Sequence, residues 1–143
     1  VQPNTLSDEQ KMRVAQAITD GHHETTGAPK FYVQVIIDEI PGRKRFVSGY
    51  PCEKQMWICG YIRSGRDDKQ RAELMLKLVE RVAKATGLDS NAIWCDLVLV
   101  DPANILKYGC VFPPPGEEQA WFEGLPDKAK QIIERIKEGK WSD

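Results

Sequence analysis

The chain has 143 residues, 41% of them hydrophobic and 29% charged, with a formal net charge of −1. That is the size and balance of one soluble domain around a single core. It gives nucleic-acid binding no bulk electrostatic support. No apolar run approaches the roughly 18 residues needed to span a bilayer.

The N-terminal stretch VQPNTLSDEQ has neither the charged n-region nor the apolar h-region of an export signal. The four cysteines, Cys52, Cys59, Cys95 and Cys110, form no C-x-x-C pair, and no nearby histidine completes a zinc pattern. Reduced, partly buried thiols in a cytoplasmic protein without metal or cofactor are expected.

In chain order, Ser7 to Gln10 form a capping-box pattern. The helix it opens carries Val14, Ala15, Ile18 and His22 on one face, and Gly21 and Gly27 bracket its end. FYVQVIIDEI (31–40) predicts a strand rich in β-branched residues, Pro41 and Gly42 a turn, and RKRFVSG a short strand at most. QMWICGYI (55–62) predicts a strand apolar on both faces, hence central in a sheet. A second helix is expected from Asp67 to about Thr86, with Leu74, Met75, Leu78, Val79 and Val82 as its stripe and Gly87 as its stop. NAIWCDLVLV (91–100) predicts another buried strand, DPANILKYG a helical turn after Pro102, and PPPG (113–116) a rigid linker. EEQAWF is expected to anchor Trp121 and Phe122 against the sheet or a neighbouring subunit. The tail from Glu117 predicts a helix with Ile132, Ile133 and Ile136 inward, then a frayed, charged end.

An α/β (α+β) domain over 1–143 follows, a mixed sheet with helices on one face and a helical extension over 117–143. The two long helices occupy similar places in two similar units, yet only the second follows a full strand. A strand is therefore expected before Ser7, with Val1 as its last residue here.

Three places could carry chemistry. Arg63 and Arg66 in GYIRSGRDD (60–68) stand where a strand hands over to a helix N-terminus. Unpaired N–H groups, the macrodipole and two guanidiniums would make an anion site there. The alternative is a solvated basic turn with Asp67 or Asp68 capping the helix. His22 shares the apolar face and is either a satisfied core histidine or an acid/base and hydrogen-bonding group; His23 lies about 100° further round and is expected to be exposed. Asp96 sits in mid-strand, where a buried carboxylate needs an arginine partner or a raised pKa and a role. Lys107 reads most simply as a surface lysine, and no chemistry attaches to FPPPG.

Taken together, AITDGHHETTGAPKFYVQV, GYIRSGR and IWCDLVLVDPANILKYGCVFPPPGEEQAWF resemble the tautomerase superfamily, in the branch of cis-3-chloroacrylic acid dehalogenase. The resemblance covers most of residues 1–123. It implies two fused β-α-β units, a homotrimer and an N-terminal proline whose free amine is base, acid or nucleophile. It also implies arginines that bind a substrate carboxylate, and a histidine, a tyrosine and a glutamate that help bind substrate or activate water. The histidine falls on His22 and the arginines on Arg63 and Arg66. The tyrosine position falls on Asp96 and the glutamate position on Lys107, which puts hydrolytic dehalogenation in doubt. Pro3 cannot replace a terminal proline, because its nitrogen is a non-basic amide.

The resemblance implies a cofactor-free tautomerase acting on a small 2-oxo or unsaturated carboxylic acid, with Arg63 and Arg66 on the carboxylate and His22 as a catalytic candidate; Asp96, a departure from the family pattern, is the one further catalytic candidate, as a group that could activate water. A hydratase or dehalogenase of a haloacrylate-like acid is the related alternative. A non-catalytic trimeric homologue and a monomeric ferredoxin-like module are the others. No nucleic-acid or membrane partner is expected. The native chain is predicted to begin several residues before Val1, with proline as its first residue. Intact mass or N-terminal sequencing of the natural protein checks this, and a native start at Val1 would refute it.

Overall fold

Two helices of 19 residues begin and end alike. The computed structural model describes residues 6–40 and 43–141, and in it α1 spans Asp8–Thr26 and α2 spans Asp68–Thr86. The Ser7 and Asp67 side chains accept from the backbone N–H groups of Gln10 and Gln70, whose side chains reach back, so both capping boxes close. Gly27 (φ 75°) and Gly87 (φ 77°) stop the helices in the left-handed region. Short 3-10 turns follow at Lys30–Tyr32 and Ser90–Ala92.

The likeness continues. The hairpin β1 (Phe46–Val47) and β2 (Tyr50–Pro51) turns through Ser48 and Gly49, both at positive φ. The later hairpin β5 (Leu106–Lys107) and β6 (Cys110–Val111) turns through Tyr108 and Gly109 in the same conformation. Ser7 and Asp67, Gly27 and Gly87, Gly49 and Gly109 each lie 60 residues apart. The chain is a duplication with a constant offset.

β3 (Met56–Arg63) precedes α2 and β4 (Ile93–Val100) follows it, and the two pair in parallel from Met56 opposite Ile93 to Arg63 opposite Val100. A parallel pair needs a crossover, and α2 supplies it. The offset makes residues 33–40 the counterpart of β4. There the structure departs from the sequence expectation. Phe31 and Tyr32 belong to a 3-10 turn, and 33–40 joins no ladder among the described residues. A strand is defined by its partner, so β propensity alone did not suffice. The segment still alternates along 33–39, with Val33, Val35, Ile37 and Glu39 half-buried and Gln34, Ile36 and Asp38 exposed. Ile37 reaches the core, and Lys11 pairs with Glu39 at 2.6 Å. The expected turn at Pro41 and Gly42, and the expected strand end at Val1, lie outside the described residues.

The core forms where α1 and α2 cover one face of β3 and β4. Val14, Val82 and Ile93 pack with Ile18, Met56 and Ile58. Ile62, Leu74 and Leu78 pack with Cys95 and Leu97. Gly21 lies inside α1 and does not end it; it is buried against α2, where a Cβ would meet Leu78 Cδ2 and Arg81 Cδ at 3.4 Å, an ordinary packing distance. The opposite face of the two strands is open. Trp57, Tyr61, Trp94 and Val98 are exposed on it, so β3 and β4 are not covered on both faces as their composition predicted. Cys59 and Cys95 project to opposite faces, and all four cysteines are free.

A second core is aromatic. Tyr32 stacks on Phe112 with centroids 4.2 Å apart, and Trp121 meets both edge-on at 5.3 and 5.2 Å. Trp121 and Phe122 therefore pack on the 3-10 turn and second hairpin, not on the β3–β4 sheet. They belong to α3 (Glu118–Glu123); α4 (Asp127–Lys137) follows, burying Ala129 and Ile133 with Ile132 and Ile136 half-buried. No helix among the described residues is long and apolar enough to cross a membrane.

Leu74 is fully buried and Leu76, two residues on, is 71% exposed. Leu74→Ala is expected to lower unfolding free energy by about 2–5 kcal/mol, and Leu76→Ala by no more than about 0.5 kcal/mol. Urea denaturation of both variants checks this.

Candidate active site

β3 ends at Arg63 and α2 is capped at Asp67, which leaves three residues for the turn. Ser64 N–H donates to the Val100 carbonyl at 2.8 Å and holds the turn to the end of β4. Gly65 has φ 122°, and a Cβ there would meet Pro115 Cδ at 3.2 Å. Conformation and space both require glycine. The proline-rich loop, expected to carry no chemistry, is thus pressed against the arginine turn.

Arg63 is 5% exposed. Its Nη1 donates to the Pro113 carbonyl at 2.9 Å and its Nη2 to Glu118 Oε1 at 2.8 Å. Its guanidinium carbon lies 5.1 Å from the centre of the Tyr32 ring and 5.9 Å from that of Phe112. Glu118, in the first turn of α3, is also held by Gly116 N–H, at 3.1 and 3.0 Å to its two oxygens. Burial pushes the Glu118 carboxyl up, but the Arg63 and Gly116 hydrogen bonds outweigh it and hold the pKa below the ordinary value.

Arg66 is 9% exposed and differently placed. Nη1 makes one long bond to the Arg63 carbonyl, 3.4 Å, and Nη2 is buried without a partner. Burial, and then the Arg63 charge, lower its pKa. The solvated basic turn is thereby excluded: both arginines are buried, and Asp67 caps the helix rather than pairing with either.

Two more groups join them. Lys107 is half-buried, not a surface lysine: Nζ donates to the Tyr32 carbonyl at 2.8 Å and lies 5.3 Å from the Phe112 ring centre. Burial and Arg63 lower its pKa. His22 is pulled down to about 4, by burial first and then by Arg66, Arg63, Lys107 and His23. It is a neutral imidazole at neutral pH. Thr26 Oγ1 approaches His22 Nδ1 at 3.5 Å while donating to the His22 carbonyl at 2.7 Å. His23 is half-buried rather than exposed, because its Nδ1–H donates to the Ala28 carbonyl at 2.7 Å.

His22, Arg63, Arg66 and Lys107 therefore form one cluster, drawn from the end of α1, the β3–α2 turn and the second hairpin. Glu118 is the carboxylate bound into it. Sequence reasoning passed over Glu118, whose signal was a charged residue just after a rigid proline run.

Asp96 does not join them. It is exposed, not buried among apolar neighbours, on the open face of the sheet, and accepts from Trp57 Nε1 at 2.6 Å. It lies opposite Cys59, four residues before the Arg63 position, or about 13 Å along the strand. Three cations against one carboxylate leave the cluster electropositive. It can hold a small anion and stabilise negative charge that develops beside it.

The family model described as "Putative oxalocrotonate tautomerase enzyme" matches residues 1–124. The crystal structure of N1, a member of the cis-3-chloroacrylic acid dehalogenase (cis-CaaD) family, is similar with TM-score 0.86 and 29% identity, over 90% of each chain. Native Ps01740 is similar with TM-score 0.66 and 30% identity, over 72% of this chain and 91% of that one. A fused 4-OT named Q0, a symmetric trimer, shares the fold with TM-score 0.66 and 22% identity, over 71% of this chain and 82% of its own. No curated protein matches the chain significantly.

The buried imidazole predicts a pH dependence. His22 titrates near 6.5 when unfolded and about 4 when folded, so the unfolded chain binds more protons between those values. Stability is full above pH 6.5 and is lost as pH falls towards 4, by on the order of 3 kcal/mol. Urea unfolding between pH 7 and 4 should show this loss, and His22→Asn should remove that part of the slope.

Proposed function

We propose that this chain, which belongs to the oxalocrotonate tautomerase family of the tautomerase superfamily, moves a proton on a small 2-oxo or unsaturated carboxylic acid. The observation that carries the proposal is Arg66, a buried guanidinium with one nitrogen unpartnered inside an electropositive cluster. A substrate carboxylate is the natural acceptor for that nitrogen. Arg63, already held by Glu118 and Pro113, contributes its charge more than a free fork. Charge on Arg63, Arg66 and Lys107 stabilises the enolate as it forms. His22, neutral at working pH, orients the substrate by hydrogen bonding. The base is the terminal proline amine that the family resemblance implies. An amine beside these cations loses basicity, which brings it towards the useful range near neutrality. The reaction asks for no cofactor.

The open sheet face supports a homotrimer. Trp57, Tyr61, Trp94 and Val98 are covered when copies pack together, and a fused relative of the same fold is a symmetric trimer.

A second reading, water addition to an unsaturated or halogenated acid, draws support from the likeness to a cis-CaaD family member. It needs a carboxylate that takes a proton from water. Glu118 is in the cluster, but its bonds to Arg63 and Gly116 make it a weak base; Asp96 is outside it. The proton-transfer reading is therefore preferred.

Enolisation of phenylpyruvate, followed by absorbance, tests the proposal. Arg66→Ala is expected to raise KM roughly 10- to 100-fold, the worth of a charge-assisted hydrogen bond, with a smaller effect on kcat. An unchanged KM in both Arg66→Ala and Arg63→Ala would reject the pocket. Halide release from 3-chloroacrylate would instead favour the second reading.

A further inference from the structure

Two buried side-chain polar atoms among the described residues have no partner: Nη2 of Arg66 and the hydroxyl of Tyr32. Proteins rarely leave such atoms unpaired, because a buried donor without an acceptor has lost its water and gained nothing in return. The two are not scattered. Tyr32 is 5% exposed and lies under the Arg63 guanidinium, 5.1 Å from ring centre to carbon. Its carbonyl takes the Lys107 ammonium at 2.8 Å. The residue thus meets two cations of the cluster that contains Arg66, Arg63 on its ring and Lys107 on its backbone carbonyl. Its ring is fixed by the stack on Phe112 and the edge of Trp121, so the hydroxyl is held without a hydrogen bond of its own. Burial pushes the phenol up to about 12, so it stays protonated and can donate across the working pH range.

We infer that Tyr32 is a further substrate-binding residue, whose hydroxyl donates to the 2-oxo or enol oxygen of the acid whose carboxylate sits on Arg66. The inference rests on the reading of the Arg66 site as a carboxylate site. It assigns to Tyr32 the preference for acids with an oxygen on the carbon next to the carboxylate over the same acids without it. An unpaired donor in a dry site discriminates strongly, because an analogue lacking the acceptor leaves the donor unmet.

The test compares two acids and two variants of the natural protein by calorimetric titration. Phenylpyruvate carries the 2-oxo group and 3-phenylpropionate lacks it. Tyr32→Phe keeps the ring and its packing. It should weaken phenylpyruvate roughly 10-fold and leave 3-phenylpropionate unchanged, whereas Arg66→Ala should weaken both. Thermal unfolding of the ligand-free Tyr32→Phe protein should be unchanged or higher, since an unpaired hydroxyl is removed. Equal effects on the two acids, no effect on phenylpyruvate, or a lower unfolding temperature would each overturn the inference. If Arg66→Ala weakens phenylpyruvate while Tyr32→Phe does not, the carboxylate site stands and Tyr32 alone is rejected. If the wild-type protein binds neither acid, the carboxylate site itself fails and the inference falls with it.

Discussion

The ion pair between buried Arg63 and half-buried Glu118 is the constraint on which the rest of the site hangs. Arg63 comes from the end of β3 and Glu118 from the start of α3, so the pair ties the sheet to the C-terminal third of the chain. Breaking such a pair leaves an uncompensated charge in a dry place, which costs more than the pair itself contributes. The surroundings show how the charge is accommodated. Pro113 and Gly116 supply backbone groups, and Tyr32 and Phe112 supply ring faces. With Arg63 saturated in this way, Arg66 is the guanidinium left with an unmet nitrogen. Two arginines three residues apart thus have different work: one organises, the other receives.

The aromatic core follows from the same constraint. Tyr32, Phe112 and Trp121 meet where the α1 unit, the second hairpin and α3 converge. The Tyr32 and Phe112 rings lie against Arg63, and Phe112 also against Lys107, and this apolar contact strengthens the charge interactions beside it. It also explains why the cluster lowers the pKa of Arg66, Lys107 and His22 together. Burial and mutual repulsion act in the same direction on each.

The two long helices were legible in the sequence, caps included, because Ser7–Gln10, Asp67–Gln70, Gly27 and Gly87 are local signals. His22, Arg63 and Arg66 were legible as candidates, and the structure brings the three together. Four things were not. Residues 33–40 read as a strand from their β-branched residues, but they join no ladder among the described residues, and a local pattern does not supply a partner. Asp96 was read as buried because its neighbours are apolar, but an apolar sequence does not say whether a second layer covers that face. Lys107 looked like a surface residue because its partners, Tyr32 and Phe112, are remote or non-polar. Glu118 was invisible as a site residue because its partner lies 55 positions away. Each miss concerns a long-range contact, and the successes concern short-range ones.

The constant offset of 60 residues bears on how the site is put together. Val82, a core residue of α2, stands at the position that His22 holds in α1, and the two guanidiniums stand at the entry to α2. One repeat supplies the imidazole and the other the arginines. The centre is a division of labour between two like segments, and neither segment alone carries the set.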